Sequence, residues 1–199
     1  MAEGRRVVIT GLGIVSSIGQ DIDTYWKSLV AGKSGVKRIA AFDPSAYPTQ
    51  FAGEIPDFDP LRWLDKRSAG RMDRFCQMGM GAAIQAVKDS GLDFAREDRQ
   101  RCGAVIGSGI GGLWEIEEQH KRLLERGPSR VSPFLVPRLM INACSGMVAI
   151  HYELNGPNFA AVSACASSNH SLAIAFRAIR WGDVDVMIAG GNKPQKSGG

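Results

Sequence analysis

A chain of 199 residues, 44% hydrophobic and 22% charged, is long enough to bury one substantial core and has the composition of an ordinary globular domain. Its net charge of +4 comes without an aromatic-interleaved basic stripe, and no stretch is apolar enough for a bilayer span or a signal peptide. The expectation is a cytoplasmic or organelle-matrix protein with neither nucleic acid nor membrane as partner. Four cysteines without C-x-x-C spacing argue against a zinc site or a thioredoxin-like motif, and, left unpaired, they suggest a reducing compartment.

Arg6-Val7-Val8-Ile9-Thr10 is an apolar run ending in Gly11-Leu12-Gly13, which predicts a buried parallel strand and a tight turn. Asp21 or Asp23 caps a predicted helix carrying Tyr25, Trp26, Leu29 and Val30 and ending at Gly32. Residues 40–60 read as loop around Pro44, Pro48, Pro56 and Pro60, with one short strand over 51–55. Apolar residues recur at helical spacing over 72–90 until Gly91. Gly79 and Gly81 inside that helix point to close packing, since each costs about 1 kcal/mol against alanine.

A second buried strand is predicted over 102–107, running into Ser108-Gly109-Ile110-Gly111-Gly112. A charged helix over 113–126, an irregular stretch over 128–137 and a small-residue helix over 139–154 follow. The last strand is predicted at 184–189, and residues 192–199 read as a polar tail. Strands alternating with helices imply an α/β domain with a mixed, largely parallel sheet and helices on both faces.

Between the last helix and strand lies the most informative run. Gly156-Pro157-Asn158 is a turn, a short apolar strand follows, and the strand stops at Cys165 among Ala164, Ala166 and Ser167. A helix-compatible stretch, 166–181, then begins. This arrangement puts a thiol at a helix N-terminus, where unpaired N–H groups and the positive dipole end favour thiolate, with room for a bulky electrophile. Cys165 therefore reads as a nucleophile. Cys76 lies in a helical pattern, Cys102 at a strand, and Cys144 mid-helix with no strand delivering it, so these read as core residues.

Gly11 to Ser16 and Gly107 to Gly112 invite a nucleotide reading. Neither ends in the Gly-Lys-Ser/Thr of a P-loop, nor is followed by a suitably placed acidic residue. The competing reading is that these glycines let the backbone pass close to the wall of the site. Arg62, Lys66, Arg67, Arg71 and Arg74 outnumber Asp65 and Asp73, which suits either a solvated helix face or docking of an acidic partner.

In order and spacing, several blocks resemble the N-terminal half of the β-ketoacyl-acyl-carrier-protein synthases, thiolase-superfamily condensing enzymes of fatty-acid and polyketide synthesis. They are Val7 to Gly13, Gly107 to Gly112, Ser132-Pro133-Phe134-Leu135-Val136-Pro137, Gly156 through Ser168, and Gly182 to Gly191. The resemblance implies the N-terminal half of a thiolase-like fold over 1–191. It implies a homodimer, or pairing with a full-length synthase, and an acyl carrier protein as partner. Cys165 would accept the acyl chain as a thioester, its backbone N–H serving as an oxyanion donor. A malonyl carrier protein would then decarboxylate and condense with that thioester.

By the same resemblance Ile110 and Ala164 would line the acyl site with Phe134 and Leu135 near it, either within the chain or reaching across the dimer, and Arg67 and Arg71 would dock the carrier. No resident cofactor or metal is implied, since 4′-phosphopantetheine arrives on the carrier. The family's two histidines lie in its C-terminal half. Here His170 is turned about 140° from Cys165 on a helix, His120 sits among charges, and His151 ends an apolar stretch as a packed or capping residue. The expectation is an acyltransferase by family that does not complete condensation alone. The alternatives are a non-catalytic truncated partner or carrier-binding subunit, and another cysteine-nucleophile acyltransferase.

Overall fold

The computed structural model describes residues 4–193. Near the start of the chain, Asp21 caps α1 (Ile22–Val30) by accepting the Thr24 N–H at 2.8 Å. Two short antiparallel strands follow, β1 (Lys37–Arg38) and β2 (Phe51–Ala52); the sequence pattern pointed only to the second. The one-turn α2 (Lys66–Ala69) is capped by Asp65, and α3 (Arg74–Ser90) by Asp73. Gly91, at φ 68°, closes α3 in the left-handed region where glycine is favoured.

Next come β3 (Cys102–Ser108), α4 (Leu113–Arg126), α5 (Leu135–Leu139) and α6 (Ala143–Tyr152). They are followed by β4 (Asn158–Phe159), α7 (Ser167–Trp181) and β5 (Val186–Asn192). The sheet has the order β4-β3-β5 and is parallel throughout. β3 is buried along its whole length, as a central strand apolar on both faces must be.

Residues on β3 alternate between the two helical layers. Cys102, Ala104 and Ile106 enter a core with Phe75, Cys76 and Met80 of α3 and Cys144 and Val148 of α6. A Cβ on Gly79 would lie 2.4 Å from Cys144 Sγ, and one on Gly81 3.2 Å from Trp63, so both mid-helix glycines admit close neighbours. On the opposite face, a Cβ on Gly107 would meet Ser167 O and Ser171 Oγ at 2.8 Å. α7 thus turns its small residues, Ser167, Ser171 and Ala175, onto the sheet and leaves Leu172 and Phe176 nearly half exposed on its outer side.

The segment before α1 departs from expectation. Residues 6–10 form no strand, and Val8 and Ile9 are 59% and 81% exposed. A run apolar on both faces needs cover on both, and here the chain instead continues along α3. The Leu12 N–H donates to Asp89, and Gln85 exchanges hydrogen bonds with the Ile14 backbone. Gly11 and Gly13 pack so tightly on the Ala86 and Ala82 carbonyls that a Cβ would fall within about 2 Å of them.

Smaller corrections follow from local contacts. Residues 128–137 contain a 3-10 turn and the start of α5, and α6 begins at Ala143, four residues later than its apolar pattern. The last strand is displaced to 186–192. Asn192, placed in the tail by composition, pairs with Ser108 in register and donates to Phe75 O at 3.2 Å. The rest of that tail, 194–199, lies outside the described residues. At the other end of β5, Asp185 is held by Arg101 at 2.5 Å and Arg5 at 2.6 Å, which bring its carboxyl down to about 2. No helix is long and apolar enough to cross a membrane among the described residues.

Candidate active site

β4 ends at Phe159, the chain runs without regular structure to Ser163, and a 3-10 turn at 164–166 delivers it into α7. Cys165 sits in that turn, exposed, two residues ahead of the first residue of α7. Ala164 has φ 48°, a left-handed conformation that costs a non-glycine residue of order 1 kcal/mol and holds only if its surroundings enforce it. The enforcing groups are serines. Ser167 Oγ accepts the Ser163 N–H at 2.9 Å and donates to Ala164 O at 2.8 Å, closing a loop around the thiol. His170 Nδ1 lies 2.5 Å from Ser163 Oγ, bracing that side chain from the next turn of α7.

Ser167 is 3% exposed. Ser167→Ala is expected to lower stability by about 1–3 kcal/mol, because it leaves the Ser163 N–H without its acceptor. Relaxation of Ala164 should also change the rate at which Cys165 reacts with iodoacetamide. Urea unfolding and alkylation kinetics read the two effects, and an unchanged unfolding midpoint would count against the role given to Ser167.

The glycine loop after β3 runs beside this turn. A Cβ on Gly109 would lie 3.6 Å from Ala164, an ordinary contact, so Ile110 is brought next to the turn on that loop, 52% exposed. Gly111 has φ 80°, and a Cβ there would lie 2.6 Å from Leu139 O; the Gly112 N–H donates to the same oxygen at 3.1 Å. The loop therefore bridges the Cys165 turn and the C-terminal end of α5. Phe134 caps the other end of α5, partly exposed, and Leu135 is half-buried in its first turn. α5 packs on α4 and α6, and the glycine loop meets it at Leu139, the end away from Phe134.

The other cysteines are buried. Cys76 and Cys144 face each other across α3 and α6; the neighbouring Cys144 thiol and burial push the Cys76 thiol well up. Burial also pushes Cys102 up. Cys144 is the second residue of α6, not a mid-helix residue, because α6 starts later than its pattern indicated. His120 and His151 are both exposed, and His151 stands edge-on to Tyr152 at 4.7 Å instead of packing in the core.

Arg67 is exposed in the single turn of α2, and Arg71 is exposed two residues beyond it. Arg74 does not join them. Its guanidinium donates to Phe58 O and Ile55 O and stacks over Phe58. Of the two acids in that cluster, Asp65 and Asp73 both serve as helix caps.

A buried polar group escaped sequence reasoning altogether. Glu115, 6% exposed, lies 3.3 Å from Arg138, accepts from Gln119 Nε2 at 3.0 Å and gives its own N–H to Asp73. Burial pushes the Asp73 carboxyl up, against the pull of the Phe75 and Glu115 N–H groups. Its only sequence signal was Glu115 and Gln119 at i,i+4 on one face of α4. Among the described residues no cluster of three His, Cys, Asp or Glu could hold a metal ion.

Residues 4–195 match the β-ketoacyl synthase N-terminal domain. The chain is 49% identical over 191 residues to 3-oxoacyl-(acyl-carrier-protein) synthase 2 of Coxiella burnetii, covering 96% of this chain and 46% of that protein. It is 46% identical to the protein of the same name from Vibrio cholerae, covering 94% and 45%. A solved structure described as the ishigamide ketosynthase/chain length factor superposes with a TM-score of 0.87 at 33% identity, covering 94% of this chain and 47% of that one. The chain thus spans about half the length of the relatives it matches, and its fold is their thiolase-like α/β arrangement.

Proposed function

The chain belongs to the β-ketoacyl synthase family through its N-terminal domain, and from that premise we propose that it carries the acyl-accepting half of a β-ketoacyl-acyl-carrier-protein synthase. The observation that carries the reading is an exposed thiol on a strained, serine-braced turn at the start of α7, beside a glycine loop. The Cys165 sulfur attacks the carbonyl of an acyl thioester on the carrier. A new carbon–sulfur bond forms, the carrier's phosphopantetheine thiol leaves with the proton, and the acyl group stays on Cys165. The Cys165 N–H is the chain's donor to the oxyanion of that step.

Ile110, Ala164, Phe134 and Leu135 form the wall along which the acyl chain lies, and Arg67 and Arg71 receive the acidic carrier. Decarboxylation of malonyl carrier protein and condensation with the thioester complete the family's reaction. None of the three histidines here is placed for that work, and His170 is engaged with Ser163. A homodimeric, cytoplasmic synthase is part of the same reading, and four free thiols suit a reducing compartment.

Intact-mass spectrometry of the chain after incubation with an acyl-carrier-protein thioester tests the proposal. One added acyl mass, mapped to the peptide containing Cys165, is expected. A folded chain that takes up no acyl group would leave the family's fold without its loading chemistry.

A further inference from the structure

A helix of one turn, such as α2, is far too short to hold its own shape. It carries Arg67, and Arg71 follows its last residue by two, so the placement of both guanidinium groups depends on what fixes the turn from outside. At its front Asp65 accepts the Arg67 and Ser68 N–H groups at 2.9 and 3.0 Å. At its rear, the last carbonyls of a helix have no partner within it. Two side chains supply one each. Gln77 Nε2, from α3, donates to Ala69 O at 2.9 Å, and Arg138 Nη2, from α5, donates to Gly70 O. Arg138 is itself aimed by Glu115 of α4, whose two carboxylate oxygens lie 3.3 Å from its Nη1. Glu115 accepts from Gln119 Nε2 at 3.0 Å and gives its N–H to Asp73, the cap of α3, at 3.2 Å. The basic turn is therefore held at Gly70, immediately before Arg71, by a fork whose other prong is fixed on α4.

Stability is a poor explanation for this group. Arg138 Nε is buried without a hydrogen-bond partner. A buried ion pair with an unsatisfied donor is generally no better than apolar residues of similar volume. What it supplies is position, since one planar guanidinium serves an acid and a carbonyl at a fixed angle. We infer that the Glu115–Arg138 pair is a positioning device for the basic turn: by holding Gly70 O it fixes where Arg71 stands relative to Arg67, and so sets how tightly the chain takes an acidic carrier protein. The inference rests on the reading of Arg67 and Arg71 as the carrier's docking residues.

The test titrates the 199-residue chain into an acyl carrier protein that bears a fluorescent group on its phosphopantetheine, at low salt, and reads the Kd by anisotropy. In Arg138→Met the Kd is expected to rise about five-fold. Glu115→Gln gives a test of sign. It makes the chain more positive by one charge, so charge alone would tighten binding, whereas loss of the hold on Arg138 weakens it. A rise close to that of Arg138→Met is expected. Arg138→Lys keeps the charge and loses the fork, and should give an intermediate Kd. In the Arg67→Glu/Arg71→Glu background, Arg138→Met should add less than about two-fold, because the side chains it positions are gone.

Either Arg138→Met or Glu115→Gln leaves a buried charge unpaired. The double variant Glu115→Gln/Arg138→Met removes both charges, leaves the net charge unchanged and keeps the test alive if the single variants do not fold. Its Kd is expected to rise as in Arg138→Met. A wild-type Kd in the folded double variant, tighter binding in Glu115→Gln, or a rise that persists in full in the reversed background overturns the positioning role and leaves the docking reading standing. A chain that does not bind the carrier, or binds it equally well with Arg67 and Arg71 reversed, overturns the docking reading and this inference with it.

Discussion

Cys165→Ala is expected to reduce acyl transfer to the chain by about a thousand-fold or more, the scale of loss when a covalent nucleophile is removed. No other thiol can take its place. Cys76 and Cys144 are at most 1% exposed between α3 and α6, and Cys102 is equally buried on β3. Ser163 and Ser167 flank Cys165 closely, but the Ser167 hydroxyl is committed to the Ser163 N–H and the Ala164 carbonyl, and the Ser163 hydroxyl pairs with His170. Cys165→Ser should keep the turn intact and load only slowly, because a hydroxyl without a base is a far weaker nucleophile. Time-resolved intact mass on the three proteins separates these outcomes. An undiminished adduct in Cys165→Ala would place the nucleophile elsewhere and remove the central premise.

The second large effect is electrostatic. Arg67→Glu together with Arg71→Glu is expected to raise the half-saturating concentration of acyl carrier by about 10–100-fold at low salt. The penalty should shrink as salt rises, since the screening length falls from about 10 Å at 0.1 M to about 3 Å at 1 M. Both guanidinium groups are exposed, and neither forms an ion pair among the described residues. Arg74 is the internal control: its charge sits against Phe58 and backbone carbonyls, so its replacement should destabilise the fold and not weaken docking selectively. Loading from a small acyl thioester, which has no acidic carrier surface, should be unaffected by the double reversal. Equal losses with carrier and small thioester would rule out a docking role.

Where sequence reasoning succeeded, the determinant was local. Asp21 and Gly91 mark helix ends because capping depends on a few neighbouring residues. α4 falls where its pattern placed it, and β3 is legible because apolar character on both faces suits only a central strand. The turn into α7 that holds Cys165 was legible because small residues, a Gly-Pro turn and a helix start lie close together in the sequence.

Where it failed, the determinant was distant. The same both-faces pattern over 6–10 gave a strand that is absent, since the pattern reports a need for cover and not which neighbour provides it. Arg138 carried no signal in the sequence, because its partners Gly70 and Glu115 lie 68 and 23 residues away. The Ser163–Ser167–His170 brace was equally hidden, because serine near a helix start is commonplace and only the positive φ of Ala164 gives it a task.

The outward apolar side of α7 has a calorimetric consequence. The folded chain exposes 12179 Å². A compact monomer of 21.4 kDa would expose about 9,100 Å² by the usual scaling of surface with mass. Unfolding therefore hydrates less new apolar surface than the length of the chain would suggest, because many large apolar side chains, Leu172, Phe176 and Trp181 of α7 among them, already meet water. The heat-capacity increment per residue should lie below the usual value of about 12–15 cal/mol/K. The denaturant slope should be correspondingly small. The isolated chain should melt over a wide temperature range, and anything that covers α7 should sharpen that transition and raise the heat-capacity step together.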